Sequence, residues 1–349
     1  MGQGDLLMDQ NAEILENAIS GSLKIIEQDR EKEIISRRFG LTGTKETLEQ
    51  IGEMLSITRE RVRQLEKAIL IRLQISAEEN QIPELAAAEK ILIRNLIEMG
   101  RVAKISDLAD KVYGRETTAS EKTGIYFIAT FSKSLTVVEE NDRYHSAVGI
   151  AEYGDSKAIR EKVDEIVKVI KDNKKPMTID ELDNKLDYEH PDYIKAVASI
   201  SKLLATLNGV WGLAKWPAVN PKNIRDKIFV ILETRKEPMH FSEIAAEIKK
   251  SNFKRKNVTI QAIHNELIKD ARFVLIGRGI YALSSWGYKK GTISEIIKSI
   301  LEKAGKPLTR EEIVKQVLKV RKVKETTILL NLQNKALFKK VDKNSYTLA

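Results

Sequence analysis

Residues 30–73 read REKEIISRRFGLTGTKETLEQIGEMLSITRERVRQLEKAILIRL, and three helical patterns with their own stop and start signals lie inside them. The first carries Ile34, Ile35 and Arg38 and ends at Phe39 and Gly40, where glycine suits a left-handed C-cap. Thr47 followed by Gln50 has the spacing of a capping box, so the second helix is predicted to start at Thr47. Its inward stripe is Leu48, Ile51 and Leu55, and Gly52 sits where a missing side chain would let another helix cross closely. Ser56, Ile57 and Thr58 then form a short turn, with Thr58 placed to cap a third helix whose Val62, Leu65, Ile69 and Leu73 face inward. Two helices joined by so short a turn are expected to form a helix-turn-helix.

On the other side of the third helix stand Arg59, Glu60, Arg63, Gln64 and Lys67. Arginine can bond a guanine edge bidentately, glutamine an adenine, and glutamate can accept from cytosine, so the set suits base reading in a major groove. The same residues at these spacings would also form i,i+4 pairs on an exposed helix.

TLEQIGEMLSITRERVRQLEKAILIRL at 47–73, preceded by RFGL at 38–41, resembles the end of bacterial sigma factor region 4, which reads the minus-35 promoter element. By that resemblance Arg59, Glu60, Arg63 and Gln64 fall on base-contacting positions, and Arg38, Thr47, Arg61 and Lys67 are candidates for the DNA backbone. Only residues 1–29, an expected helical extension, precede the motif, and the first tryptophan is Trp211. A complete sigma factor's melting domain has no place there, so the expectation is a promoter reader that does not open promoters in the usual way.

Outward from this module, KKPMTIDEL (174–182), KEPMHFSEI (236–244) and GKPLTREEI (305–313) repeat one phrase, with a weaker version, GRVAKISDL, at 100–108. Each follows an apolar-periodic helix and opens a second one, and each unit closes on a strand-like phrase: DRYHSAV, GVWGLAKW, RGIYALSSW or NSYTLA. Helices ending in a hairpin describe a winged helix. The expected fold is mainly α, an N-terminal helix-turn-helix at 30–76 followed by tandem winged helices (three helices plus a β-hairpin) at 85–150, 157–216, 222–287 and 291–349. WPAVNPK at 216–222, with two prolines, reads as a linker.

RDKIFVILETRKEPMHFSEIAAEI (225–248) with AIHNELIKDARFVLIGRGIYALSSWG (262–287) resembles the HARE-HTH family, a winged-helix module similar to the N-terminal domain of the RNA polymerase delta subunit. That resemblance makes RNA polymerase the expected protein partner beside double-stranded DNA. Trp211, Trp216, Tyr281 and Trp286 end short strand phrases and are expected to plug cores rather than stack on bases.

Net charge is +9, and its distribution is uneven. Residues 1–214 hold 30 Lys+Arg against 37 Asp+Glu, whereas residues 215–349 hold 29 against 13. A basic segment of this kind attracts phosphate by releasing condensed counterions. KKSNFKRK at 249–256 supplies Lys249, Lys250, Lys254, Arg255 and Lys256 just before a presumed third helix, and RKVK at 321–324 holds the same relative place in the last unit. Both runs are expected to meet DNA backbone. Residues 76–214 carry 19 basic against 24 acidic residues and are expected to bind protein.

Mean hydropathy is −0.30 and no apolar run is long enough for a bilayer, so a soluble, cytoplasmic, nucleoid-associated protein without a membrane partner is expected. The chain has no cysteine, and His145, His190, His240 and His264 lack metal-ligand spacing. No phosphate loop, zinc-protease motif or nucleophile elbow occurs, and the acidic IDELDNKLD at 179–187 follows a helical pattern. No enzyme activity, cofactor, metal or small-molecule substrate is expected.

Overall fold

The computed structural model describes residues 3–186, 188, 190–288, 290–342 and 344–349; residues 1 and 2 of the expected extension lie outside them. The chain divides into two compact units, Met1–Lys215 and Trp216–Ala349, with the proline-bearing 216–222 at the division. Among the described residues no helix is long and apolar enough to cross a membrane.

The first unit opens with α1 (Gln3–Ile25), α2 (Asp29–Phe39), α3 (Leu48–Leu55) and α4 (Arg59–Glu78). From there one order of elements, helix, short strand, helix, helix, hairpin, occurs four times. The first copy is α5 (Leu85–Glu98), β1 (Val102–Lys104), α6 (Ile105–Tyr113), α7 (Ala119–Phe131), β2 (Leu135–Val138) and β3 (Ala147–Ile150). The second is α8 (Ser156–Asn173), β4 (Met177–Thr178), α9 (Ile179–Asp183), α10 (Pro191–Ile200), β5 (Leu204–Leu207) and β6 (Val210–Leu213).

In the second unit the third copy is α11 (Ile224–Arg235), β7 (Met239–His240), α12 (Phe241–Lys250), α13 (Ile260–Lys269), β8 (Phe273–Gly277) and β9 (Ile280–Leu283). The fourth is α14 (Ile293–Ala304), β10 (Leu308–Thr309), α15 (Arg310–Val320), α16 (Glu325–Leu332), β11 (Phe338–Lys340) and β12 (Ser345–Leu348). Each copy closes a three-stranded antiparallel sheet with its last strand in the middle: β1-β3-β2, β4-β6-β5, β7-β9-β8 and β10-β12-β11. This is a winged-helix arrangement, and the fold is mainly helical.

The repeated phrase explains the geometry. Its apolar residue, Met177, Met239 or Leu308, is buried in the short strand, and the next residue leaves the strand to cap a helix. Thr178, His240 and Thr309 close capping boxes with Glu181, Glu243 and Glu312. Lys104 holds this place in the first copy and makes no side-chain cap, which is why that copy is faint in sequence. Across the sheet Met177 faces Trp211, Met239 faces Tyr281 and Leu308 faces Tyr346. Trp211 and Tyr281 are buried plugs, whereas Trp216 and Trp286 are half-buried. The helix expected from IDELDNKLD stops at Asp183, and Asp187 lies outside the described residues.

One apolar core joins α1 (Leu15, Ala18), α2 (Ile35, Phe39), α4 (Ile69, Leu73) and the first copy (Leu92, Leu108, Phe127, Phe131). The expected segments 1–29, 30–76 and 85–150 therefore share a core. Phe127 and Phe131 pack edge to face at 5.1 Å, and truncating either to alanine would cost roughly 3–5 kcal/mol.

Within each unit the copies dock by backbone pairing. The hairpin loop of the first meets the second through the Tyr144–Ser201 bridge, with His145 N donating to Ile200 O at 2.8 Å. In the second unit Lys322 N donates to Ile276 O at 3.0 Å, and the Arg321 guanidinium donates to the carbonyls of Leu275 and Gly291.

Candidate nucleic-acid interface

Ile34, Ile51 and Val62, one from each of α2, α3 and α4, form a small separate core with Leu48, Leu55, Ile57 and Leu65 around it. Gly40 ends α2 in the left-handed conformation at φ 66°. Thr47 caps α3 in a closed capping box, its N–H donating to Gln50 Oε1 at 2.9 Å. Ser56 takes the left-handed conformation at φ 55° so that the chain can reverse, and Thr58 Oγ1 accepts from Arg61 N at 3.2 Å to start α4. Gly52 is required by the turn itself: a Cβ there would lie 2.7 Å from the Ile57 carbonyl oxygen. The sequence indicated a crossing helix at this point, but the close neighbour is the reversing backbone.

That scaffold leaves Arg59, Glu60, Arg61, Arg63, Gln64 and Lys67 exposed along α4. In the free protein four of them, Glu60, Arg61, Arg63 and Gln64, bond to one another. Arg63 donates from Nε and Nη2 to Glu60 at 2.8 and 2.6 Å, Gln64 Nε2 donates to Glu60 at 3.4 Å, and Arg61 Nη1 donates to Gln64 at 3.4 Å. The hydrogen bond from Arg63 holds the Glu60 carboxyl below the usual carboxylate range, so the face displays alternating fixed charge.

The backbone candidates are disposed differently. Arg38 is half-buried, with Nε 3.2 Å from both carboxylate oxygens of Glu66 and Nη1 3.4 Å from Glu46 O, and so ties α2 to α4. The Thr47 hydroxyl is occupied within its cap. Arg61 and Lys67 remain on the exposed face.

In the second unit Lys249 and Lys250 end α12, and Lys254, Arg255 and Lys256 lie exposed on the loop before α13. Buried Phe253 pins this loop, and buried Lys227 donates to Arg255 O at 2.7 Å. The 321–324 run requires a correction: Arg321 is committed to two backbone carbonyls of the second unit, leaving Lys322 and Lys324 exposed.

A feature not drawn from the sequence separates the four third helices. α7 buries Ile125, Phe127, Ile128 and Phe131 and packs on α1, α2 and α4, with Phe39 5.0 Å from Phe127 between ring centroids. α10 buries Tyr193, Ile194, Val197 and Ile200 and packs on α8 and β1. By contrast α13 buries only Ile263 and Leu267, and α16 only Ile328 and Leu332. Third helices are therefore covered in the first unit and open in the second. The signal lay in GIYFIATF, apolar around most of the helix circumference as buried helices are; YIKAVASI keeps one polar side, with Lys195 exposed and Ser199 half-buried, and gave no such signal.

Among the described residues no cluster of histidine and acidic groups could hold a metal. The structure does bring both His240 and His264 against Phe241, with ring centroids 4.2 and 4.9 Å away. His240 caps α12, accepting from Ser242 N at 3.3 Å. His145 lines a cleft of about 560 Å³ between the helix-turn-helix and the first copy, where burial and the nearby Lys104 and Lys202 push its pKa down.

Residues 28–74 match the family model for sigma-70 region 4, and residues 224–286 match the HARE-HTH model, whose description names ASXL and a restriction endonuclease HTH domain. Among curated proteins, the RNA polymerase sigma factor sigB of Arabidopsis thaliana is 39% identical over 61 residues, covering 17% of this chain and 11% of that protein. The RNA polymerase sigma factor SigA of Listeria monocytogenes is 33% identical over 91 residues, covering 23% of this chain and 24% of that protein. SigA of Listeria innocua matches to the same extent. The chain thus spans less than a quarter of the length of these relatives, and both matched families are helix-turn-helix DNA-binding domains rather than enzymes.

Proposed function

We propose that the chain is a DNA-binding transcription regulator, acting in the cytoplasm at the nucleoid, that reads promoter-like duplex DNA with α4. The observation that carries this reading is the exposed face of Arg59, Glu60, Arg63 and Gln64, held by a helix-turn-helix over residues that match sigma-70 region 4. Arg63 would take a guanine edge and Gln64 an adenine, with Glu60 accepting from cytosine. Thr47, Arg61 and Lys67 would set the register on phosphate, with Arg38 behind them.

The chain is read as six segments: the extension 1–29, the helix-turn-helix 30–76, and winged helices over 85–150, 157–216, 222–287 and 291–349. The third and fourth of these copies would grip flanking duplex, since their third helices are open and Lys249, Lys250, Lys254, Arg255 and Lys256 stand beside one of them. The first two, acidic on balance and with third helices covered, would bind protein, with RNA polymerase the expected partner. No membrane, cofactor or small-molecule substrate enters this reading.

Binding to promoter-like and random duplexes, titrated against salt, tests it. A clear preference for the promoter-like duplex is expected. Equal affinities would move the chain to a nucleoid or DNA-modification accessory role. No duplex binding at low salt would leave a polymerase-binding scaffold.

A further inference from the structure

The two open third helices of the second unit bury one side each, Ile263 and Leu267 in α13 and Ile328 and Leu332 in α16. On its opposite side α13 carries Gln261, Asn265 and Ile268, spaced i, i+4 and i+7 and all exposed. Ile268 is 65% exposed, and Leu330, on the outer side of α16, is 67% exposed. Among the described residues no other large apolar side chain is as exposed as these two. A single exposed aliphatic side chain needs no explanation, but here the two extremes stand on the outer faces of the two third helices left open.

Gln261 and Asn265 are joined one turn apart, Gln261 Nε2 donating to Asn265 Oδ1 at 3.0 Å. The bond leaves Gln261 Oε1 to accept and Asn265 Nδ2 to donate. Adenine offers the complement in the major groove, an N6 amino donor beside the N7 acceptor, whereas guanine offers two acceptors there. Ile268, further along the same stripe, suits a thymine methyl. The cations lie outside the stripe, Lys254, Arg255 and Lys256 on the loop before α13 and Lys269 at its end. A major groove has the same layout, with phosphate along its rims and amino, carbonyl and methyl groups on its floor.

We propose that α13 is a second reading helix, which selects A·T pairs in the major groove: Gln261 and Asn265 take an adenine edge and Ile268 packs on a thymine methyl. This rests on the reading that the second unit grips duplex DNA and goes beyond it, since phosphate contacts alone carry no sequence information. It does not rest on base reading by α4. A protein partner would meet the cations and Ile268 but would place no demand on the amide pair.

The test uses the full chain and duplexes that share one promoter-like element and differ in the blocks on both sides of it, A·T in one set and inosine·cytosine in the other. Inosine lacks the 2-amino group of guanine, so the exchange alters the major-groove pattern while the minor groove keeps acceptors only. About tenfold tighter binding to the A·T set is expected in competition. Gln261→Ala with Asn265→Ala should remove that preference and leave affinity for the inosine·cytosine set unchanged. Replacing thymine by uracil deletes only the methyl, and should weaken the wild-type chain about threefold and Ile268→Ala not at all. Equal affinity of the wild-type chain for the two sets would overturn the proposal, as would a preference that outlasts the double variant. Indifference of the wild-type chain to uracil would overturn the thymine contact without recourse to any variant. Lys254→Gln, Arg255→Gln and Lys256→Gln together separate the two failures. If that triple variant binds every duplex as the wild type does, the second unit is off the DNA, and the proposal falls with the reading beneath it. Weakened binding with no A·T preference sinks the proposal alone.

Discussion

Arg63 grips Glu60 through two hydrogen bonds, Nε to Oε2 at 2.8 Å and Nη2 to Oε1 at 2.6 Å, on the face of α4 proposed to read bases. Both side chains are exposed, so the pair orders the fork of the guanidinium without locking it away from a ligand. If Arg63 reads a base edge, Arg63→Ala should erode discrimination between a target duplex and its single-base variant by roughly tenfold at one base pair. Competition binding against the two duplexes measures it. An equal loss on every duplex would reassign Arg63 to phosphate.

Arg38 has two possible duties that salt can separate. As the tie between α2 and α4 through Glu66, its removal should lower stability by roughly 1 kcal/mol and leave the salt dependence of binding as it was. As a phosphate ligand, its removal should reduce the slope of log K against log salt by about 0.9. The geometry favours the first outcome, since both carboxylate oxygens of Glu66 already lie 3.2 Å from Nε. Thermal melts and salt titrations of Arg38→Ala read the two together.

Gly52→Ala should be disproportionately damaging for so small a change. The new methyl would meet the Ile57 carbonyl at 2.7 Å, and that neighbour is backbone inside the turn that aims α4. A destabilisation of about 1–3 kcal/mol in denaturant melts is expected, with loss of duplex selectivity beyond it. A fully stable Gly52→Ala chain would show that the turn yields at little cost.

How far the sequence announced this molecule depends on whether a feature is local. The Thr47–Gln50 box, the Gly40 stop and the Thr58 cap are decided within a few residues, and the structure has each where the spacing put it. The winged-helix phrases were legible for the same reason, and the first copy was faint because Lys104 replaces the capping hydroxyl. Arg38 and Arg321 were legible only as charge. Their partners, Glu66 and the Leu275 and Gly291 carbonyls, lie 28 or more residues away in sequence, and no local pattern links them. The covered state of α7 is likewise tertiary, although its largely apolar surface was a usable hint.

Acid should unfasten the first unit in two steps. His145 has its pKa pushed down on folding, so the unfolded chain binds more protons just below the ordinary histidine value. Stability is then full above about pH 6.5 and declines as pH falls below it. Glu121, bonded by Arg115 and capping α7, is held down to about 2, so its contribution is full above the ordinary carboxylate range and is lost progressively as pH falls from there to about 2. His145→Gln should flatten the first step of a melting-temperature profile. Glu121→Ala should flatten the second and cost about 1 kcal/mol at neutral pH through the lost cap.

The loop before α13 should behave as a phosphate-binding element if it touches DNA at all. Phe253 and the bond from Lys227 to Arg255 O hold its backbone from below, which leaves Lys254, Arg255 and Lys256 pointing away from the core. Cations presented in this way carry no information about base identity, so Lys254→Gln, Arg255→Gln and Lys256→Gln together should weaken promoter-like and random duplexes by the same factor. The slope of log K against log salt should fall by about 0.9 for each phosphate left without its cation. An unchanged slope would remove this loop from the interface, and a loss confined to the promoter-like duplex would mean that it, and not α4 alone, selects sequence.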